Sequence, residues 1–216
     1  MTMQHIDSHN GEAYNLGVNN IRFVQDDPQS IRLENIIDMG LGFSAMIRLF
    51  DKGSNRKLHE QILIEAQKIF IAESEEDFKT IHLHFCKWGV QQIILAEKRK
   101  NGQVIKKSGP ASFGQVAKTL DVVLKVAVYY CHLPDCEKSQ KISGWLNAAV
   151  DTKMMGMLKA CYPSAIVSWP NTIEQVDGTT YKSIQAIVRK FILERHVGNI
   201  IPVQFDDIYW RKLNRI

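Results

Sequence analysis

The sequence predicts a mainly α, compact helical fold organised around one central apolar helix. Three observations predict it. Apolar residues recur at helical spacing in one segment after another, as in Ile31, Leu33, Ile36 and Ile37 and again in Phe78, Ile81, Phe85 and Trp88. One long stretch, residues 111–131, is apolar on most faces, which marks a helix enclosed by others. The 216 residues with 45% hydrophobic content suffice for one well-buried core or two small lobes sharing one.

Taken in order, residues 1–20 are polar and without apolar period, and read as a flexible tail or an irregular cover for the core. Ile21-Arg22-Phe23-Val24 reads as a short strand or hairpin arm, followed by the helix-start signal Asp26-Asp27-Pro28. Helical spacing then continues through Phe43, Met46, Ile47 and Phe50, with a break expected at Gly40-Leu41-Gly42. Residues 58–72 and 75–96 read as two amphipathic helices. Residues 98–110 are basic and turn-rich; Asn101-Gly102 suits either a tight hairpin or a plain loop. The central helix follows, and Leu133-Pro134-Asp135 ends it. Further helices are expected over about 137–149, from Asp151 onward, over 180–195 and over 206–213, with 163–170 as a connector. The domain reading is one helical domain over 21–216. Two lobes, about 21–97 and 108–216, joined by the basic loop, are the alternative.

Composition excludes some functions. No apolar run is long enough to cross a bilayer, and the N-terminus lacks the layout of a signal peptide, so a membrane role is not expected. Cys86, Cys131, Cys136 and Cys161 follow no small-scaffold spacing and read as reduced thiols of a cytoplasmic protein. A formal net charge of +4 and a pI near 8.8 suit an anionic partner without demanding one. A monomer is the expected state.

One constellation stands out: Gly114-Gln115-Val116-Ala117-Lys118 at the start of the central helix and Ala149-Val150-Asp151 at the start of a later one. From Lys118 to the helix end is about 20 Å at the helical rise, and an antiparallel return of similar length brings Asp151 back to the level of Lys118. A lysine is a nucleophile only when neutral, and burial beside positive helix N-termini disfavours its ammonium. A carboxylate beside it stabilises an oxocarbenium-like sugar as a glycosidic bond breaks, and lysine attack at the sugar carbon then gives a Schiff base. The structural alternative makes Asp151 a simple N-cap and Lys118 a surface lysine. Lys125, deeper in the helix, is the weaker nucleophile candidate.

Gly-x-x-x-Lys opening one helix, with a small or apolar residue, Val and Asp opening another, resembles the catalytic core of the helix-hairpin-helix DNA glycosylases. The likeness is greatest to the 8-oxoguanine branch with its divergent members, and it covers about residues 109–158. The family hairpin usually reads Leu-Pro-Gly-x-Gly, where this chain has Ser108-Gly109-Pro110-Ala111-Ser112-Phe113-Gly114, and Ala149 stands where a proline often precedes the aspartate. The resemblance implies Lys118 as nucleophile and Schiff-base former, Asp151 as its assistant, and Gly114 in a phosphate-binding hairpin. It implies a duplex DNA partner carrying a damaged base, and no cofactor or metal.

Other features are weighed against this reading. Lys98, Arg99, Lys100, Lys106 and Lys107 precede the candidate helix and suit salt-sensitive phosphate contacts, or simply a solvated loop. A glycosylase grips its extruded base between aromatic or apolar side chains, and Trp88, Trp145, Trp169, Tyr209 and Trp210 are available. His82-x-His84-x-Cys86, Cys131-His132 with Cys136, and His5-x-Asp7-x-His9 are poor metal sites by spacing. Arg189 and His196 loosely resemble the Arg-x(4–6)-His motif of HEPN ribonucleases, but better suit the negative end of a helix dipole. A third reading is a non-enzymatic, helical nucleic-acid or partner-binding module.

Overall fold

Helix α1, Pro28–Phe43, runs unbroken through Gly40-Leu41-Gly42, where the sequence suggests a break. The reason lies in packing: a Cβ on Gly40 would come within 2.9 Å of the Val123 Cα, so this glycine serves a close helix approach rather than a turn. The computed structural model describes residues 28–214. The chain divides into two compact units, Met1–Asn35 and Ile36–Ile216. The polar stretch 1–20, the expected strand at 21–24 and the His5, Asp7 and His9 group lie outside the described residues. The division falls at 35/36, not at the basic segment, so both sides of that segment belong to one unit.

Ser44 caps a 3-10 turn, Ala45–Arg48. Helix α2, Lys52–Phe70, starts six residues earlier than its apolar period suggests, because Asp51 accepts the Ser54 N–H at 2.6 Å as its N-cap. Helix α3, Glu75–Gln92, opens on a reciprocal Ser74–Asp77 capping box. It stops short of Ala96 because Ile93 turns extended, leading into the two-residue strand β1, Ile94–Leu95.

The basic segment is a hairpin. Strands β2, Lys98–Lys100, and β3, Gln103–Lys106, pair antiparallel across Asn101 (φ 50°) and Gly102 (φ 79°), the positive-φ pair that a tight Asn-Gly turn requires. Strand β4, Gly109–Pro110, returns to pair with β1. These short pieces are the only strands among the described residues, and the fold is mainly α.

Helix α4, Phe113–Leu124, is the central one. It opens on a Ser112–Gln115 capping box, and ten of its twelve residues are buried. It continues as a π-helical turn, Lys125–Tyr130. Helices α2 and α3 pack together and α3 packs on α4, with Leu58, Ile62, Phe78, Phe85, Leu120 and Val123 fully or almost fully buried. Each such side chain contributes on the order of 2 kcal/mol by leaving water.

Helix α5 is only Cys136–Ser143, shorter than expected. The apolar residues after it, Leu146, Ala148, Ala149 and Val150, are buried without being helical. The Gln185 amide explains how: it donates to the Ala148 carbonyl at 2.9 Å and accepts the Ala148 N–H at 3.1 Å, replacing the helical bonds. Helix α6, Thr152–Cys161, α7, Gly178–His196, and α8, Pro202–Asn214, complete the set. Helix α7 packs against α4, and α8 packs against both α6 and α7.

Candidate functional site

Lys118 is one of two residues on α4 that are not buried. It opens onto a cleft of about 740 Å³ lined also by Arg48, Lys125, Tyr130, Asp206 and Trp210. Phe43 and Trp210, 69% and 43% exposed, give this cleft aromatic walls that nothing in the described chain covers. The Lys118 ammonium has no hydrogen bond or ion pair among the described residues. Burial lowers its pKa and Lys125 adds to the effect, against the pull of Asp151 and Asp206. The helix dipole is not the cause, since Lys118 is the sixth residue of α4, beyond its first turn.

Asp151 is the carboxylate that acts most strongly on Lys118. It is also the N-cap of α6, accepting the Met154 N–H at 2.9 Å through Oδ1. So the cap expected by the structural alternative exists, while its other half does not: Lys118 is half-buried rather than a solvated surface lysine. Asp151 lies near enough for its charge to act on Lys118 without forming an ion pair with it, and the route to it differs from the one expected. The eight residues of α5 recover only about 12 Å, and the non-helical residues 144–150 lead on to Asp151.

Lys125, one face-repeat further along, is engaged instead. It donates to Asp206 and, at 3.1 Å, to Asp207, both on α8, and Tyr130 donates to Asp207 at 2.5 Å. Burial opposes the Lys125 ammonium, but the two carboxylates outweigh it and raise its pKa.

The basic residues divide into paired and unpaired. Arg99 is paired with Glu97 at 2.6 Å and Lys106 with Glu174 at 2.5 Å. Lys98, Lys100 and Lys107 are exposed, with no ion pair among the described residues. Lys98 and Lys106 line a second cleft of about 260 Å³, together with Gln115 and Thr152. Arg48 lines both clefts, so the hairpin base adjoins the Lys118 cleft through it.

Gly114 corrects an expectation. Its N–H is already donated to the Val176 carbonyl at 2.9 Å, and a Cβ there would lie 2.5 Å from the Ile173 oxygen and 2.6 Å from the Val176 Cβ. It is a packing glycine, with no free N–H to offer a phosphate. Of the tryptophans, Trp169 is buried with its Nε1 donating to the Pro163 carbonyl at 3.2 Å, and Trp88 packs on Phe85. Lys141 lies over the Trp145 ring. Arg189 pairs with Glu75 at 3.4 Å, whereas His196 hydrogen-bonds Tyr209 at 2.9 Å, so the two serve separate neighbours.

A buried group escaped the sequence reading. His82 Nε2 lies 2.9 Å from Asp121 Oδ1, Tyr181 donates to Asp121 Oδ2 at 2.7 Å, and Cys86 Sγ lies 3.7 Å from His82 Nδ1. His82 and Cys86 are four apart and share the inner face of α3, while His84 is exposed. The available signal was Asp121 itself, an acid within the apolar run Leu120 to Leu124. Among the described residues no group of three or more His, Cys, Asp or Glu is placed to hold a metal, and no helix is long and apolar enough to cross a membrane.

Known protein families, characterised proteins and solved structures give no match. The chemistry must therefore be read from the cleft. It offers a half-buried amine without an ion-pair partner, a carboxylate acting on it, aromatic walls and two arginines, Arg48 and Arg211. Such a set suits covalent amine chemistry on an electrophilic carbon next to anionic groups.

Proposed function

We propose that this chain is a DNA glycosylase of the helix-hairpin-helix kind that removes an oxidised purine, such as 8-oxoguanine, through a lysine Schiff base. The observation that carries the reading is Lys118: an amine disfavoured as ammonium, without an ion-pair partner among the described residues, in an open cleft where Asp151 is the strongest carboxylate influence. In this scheme the bond from C1′ to the base breaks, and the base leaves with the electron pair and takes up a proton. Lys118 Nζ bonds to C1′ and gives up one proton; the C1′–O4′ bond then breaks, O4′ takes up a proton, and the open sugar is held as the iminium. Asp151 stabilises the positive charge that develops on the sugar. Hydrolysis of the iminium releases the sugar; elimination of the 3′ phosphate before it would add lyase activity.

The basic hairpin and Arg48 would hold phosphates beside the cleft, replacing the hairpin N–H groups that Gly114 cannot supply. Phe43 and Trp210, exposed on the cleft, would grip an extruded base. The same basic hairpin would serve a non-enzymatic nucleic-acid binder, which needs neither Lys118 nor its cleft.

The test is borohydride trapping on duplex DNA containing 8-oxoguanine, with intact protein and Lys118→Gln in parallel. A covalent protein–DNA adduct that disappears in the variant is expected. Absence of both adduct and base release, on this and other damaged duplexes, would turn the reading toward the binding module. RNA cleavage that requires His196 would turn it toward a ribonuclease.

A further inference from the structure

Two lysines face one cleft, and the structure treats them differently. Lys118 and Lys125 lie seven residues apart along one helical face, and both line the cleft. Lys125 is held by Asp206 and Asp207 from α8, and Tyr130 fixes Asp207 from the side. Lys118 has no such clamp. Asp206 is buried, and burial holds its pKa up against the pull of two amines, Lys125 and Lys118, so without Lys125 its charge bears on Lys118 alone.

We propose that Lys125 is a positioning residue that keeps the α8 carboxylates engaged and so leaves Lys118 as the cleft's free, reactive amine. The inference rests on the reading of Lys118 as a nucleophile, but it concerns the amine and not the identity of the substrate. The charged groups that act on Lys118 or line its cleft are Asp151 at the start of α6, Asp206, Asp207 and Arg211 on α8, Arg48 on the 3-10 turn, and Asp121 and Lys125 along its own helix. Of these, Asp206 is the carboxylate whose partner can be removed by one substitution elsewhere. Without Lys125, Asp206 turns to Lys118, and an ion-paired ammonium is no nucleophile.

The experiment measures Lys118 directly. Intact protein is reductively methylated with formaldehyde and cyanoborohydride across a pH series, and labelling of each lysine is read by peptide mass spectrometry. In Lys125→Met the half-rate pH of Lys118 is expected to rise by about one unit, which at pH 7 is about a tenfold loss of labelling. In an Asp206→Asn background, Lys125→Met is expected to raise the Lys118 curve much less; an equal rise in both backgrounds would mark simple loss of the Lys125 charge and overturn the proposal. An unmoved Lys118 curve in folded Lys125→Met overturns the proposal. Should that variant fail to fold by circular dichroism, the milder Lys125→Gln decides: the Lys118 curve moves to higher pH if Asp206 turns to it, and an unmoved curve overturns the proposal. Formaldehyde needs no DNA site, so a failed DNA trap with a shifted labelling curve removes the glycosylase reading and leaves this one standing.

Discussion

Asp121 holds His82 at 2.9 Å on the buried face of α4, and the pair ties three helices together because Tyr181 of α7 donates to the second carboxylate oxygen. Burial opposes the imidazolium, but Cys86 and Asp121 with their hydrogen bonds push the His82 pKa up to about 10, from an ordinary 6.5. A folded-state pKa above the unfolded one means that the folded state holds the proton more tightly. The resulting stabilisation is full below about pH 6.5 and is lost as pH rises through about 10. Urea midpoints at pH 6, 8 and 10 should fall steadily for the intact protein, and His82→Gln should lose most of that dependence. Asp121→Ala, which strands both His82 and Tyr181, should cost about 3–5 kcal/mol.

Asp151 caps α6 and, on the proposed reading, also assists the reaction; one pair of substitutions separates the two. Asparagine caps a helix about as well as aspartate, so Asp151→Asn should keep the Met154 cap and leave stability within a few tenths of a kcal/mol. Asp151→Ala should lose about 1 kcal/mol. If the carboxylate charge assists the proposed reaction, both variants slow adduct formation about equally. A rate that follows stability instead, intact in the asparagine variant, would make Asp151 a cap alone.

How much of this was legible depends on the range of the forces involved. The central helix is readable because residues around its whole circumference are apolar, and the hairpin is readable because Asn101 and Gly102 supply positive φ locally. The end of α5 is not. Leu146, Ala148 and Val150 are as apolar as a helix continuation, and what stops the helix is the Gln185 amide, 37 residues away, bonding to Ala148. The same holds for the site. In sequence Lys118 and Lys125 are two lysines of one apolar run, ranked only by their distance from the helix start. Only Asp206 and Asp207, from the far end of the chain, distinguish a clamped ammonium from an unpaired amine. His82 and Asp121 are 39 residues apart and were equally out of reach of spacing arguments.

Gly114 gives a test of packing. Its missing Cβ leaves room for Val176 and for the Ile173 carbonyl, and both would sit closer than 3 Å to an alanine. Backbone on one side cannot move aside cheaply. Gly114→Ala should therefore destabilise by about 1–3 kcal/mol in thermal or urea unfolding. Gly156, with nothing within 4 Å of an added Cβ and lying inside α6, should gain about 0.5–1 kcal/mol on the same change.

Trp210 lines the cleft, and nearly half of its surface is open. Its removal therefore sacrifices little packing, and Trp210→Ala should shift the melting temperature only slightly. On the proposed reading it stacks on the extruded base, an interaction worth about 1–3 kcal/mol by alanine substitution. Single-turnover base release should then slow by roughly 5- to 150-fold. Trp169→Ala should do the reverse, because its indole is buried and its N–H is committed to Pro163. Stability would drop by about 3–5 kcal/mol.

The hairpin separates phosphate binding from surface charge in general. Lys98, Lys100 and Lys107 are exposed and without an ion pair among the described residues, whereas Arg99 and Lys106 are already neutralised by Glu97 and Glu174. A cation with a carboxylate partner must give it up to bind a phosphate, so the free lysines should dominate. Each phosphate that the protein no longer neutralises reduces the slope of log affinity against log salt by about 0.9 on duplex DNA. If the chain binds duplex DNA as proposed, replacing Lys98, Lys100 and Lys107 together with serine should lower that slope by up to about 3 and weaken binding to damaged and undamaged duplexes alike. Replacing Arg99 and Lys106 should change it much less. Equal effects of the two sets would mean that the hairpin acts only through net charge, and no effect of either would place the duplex elsewhere on the surface.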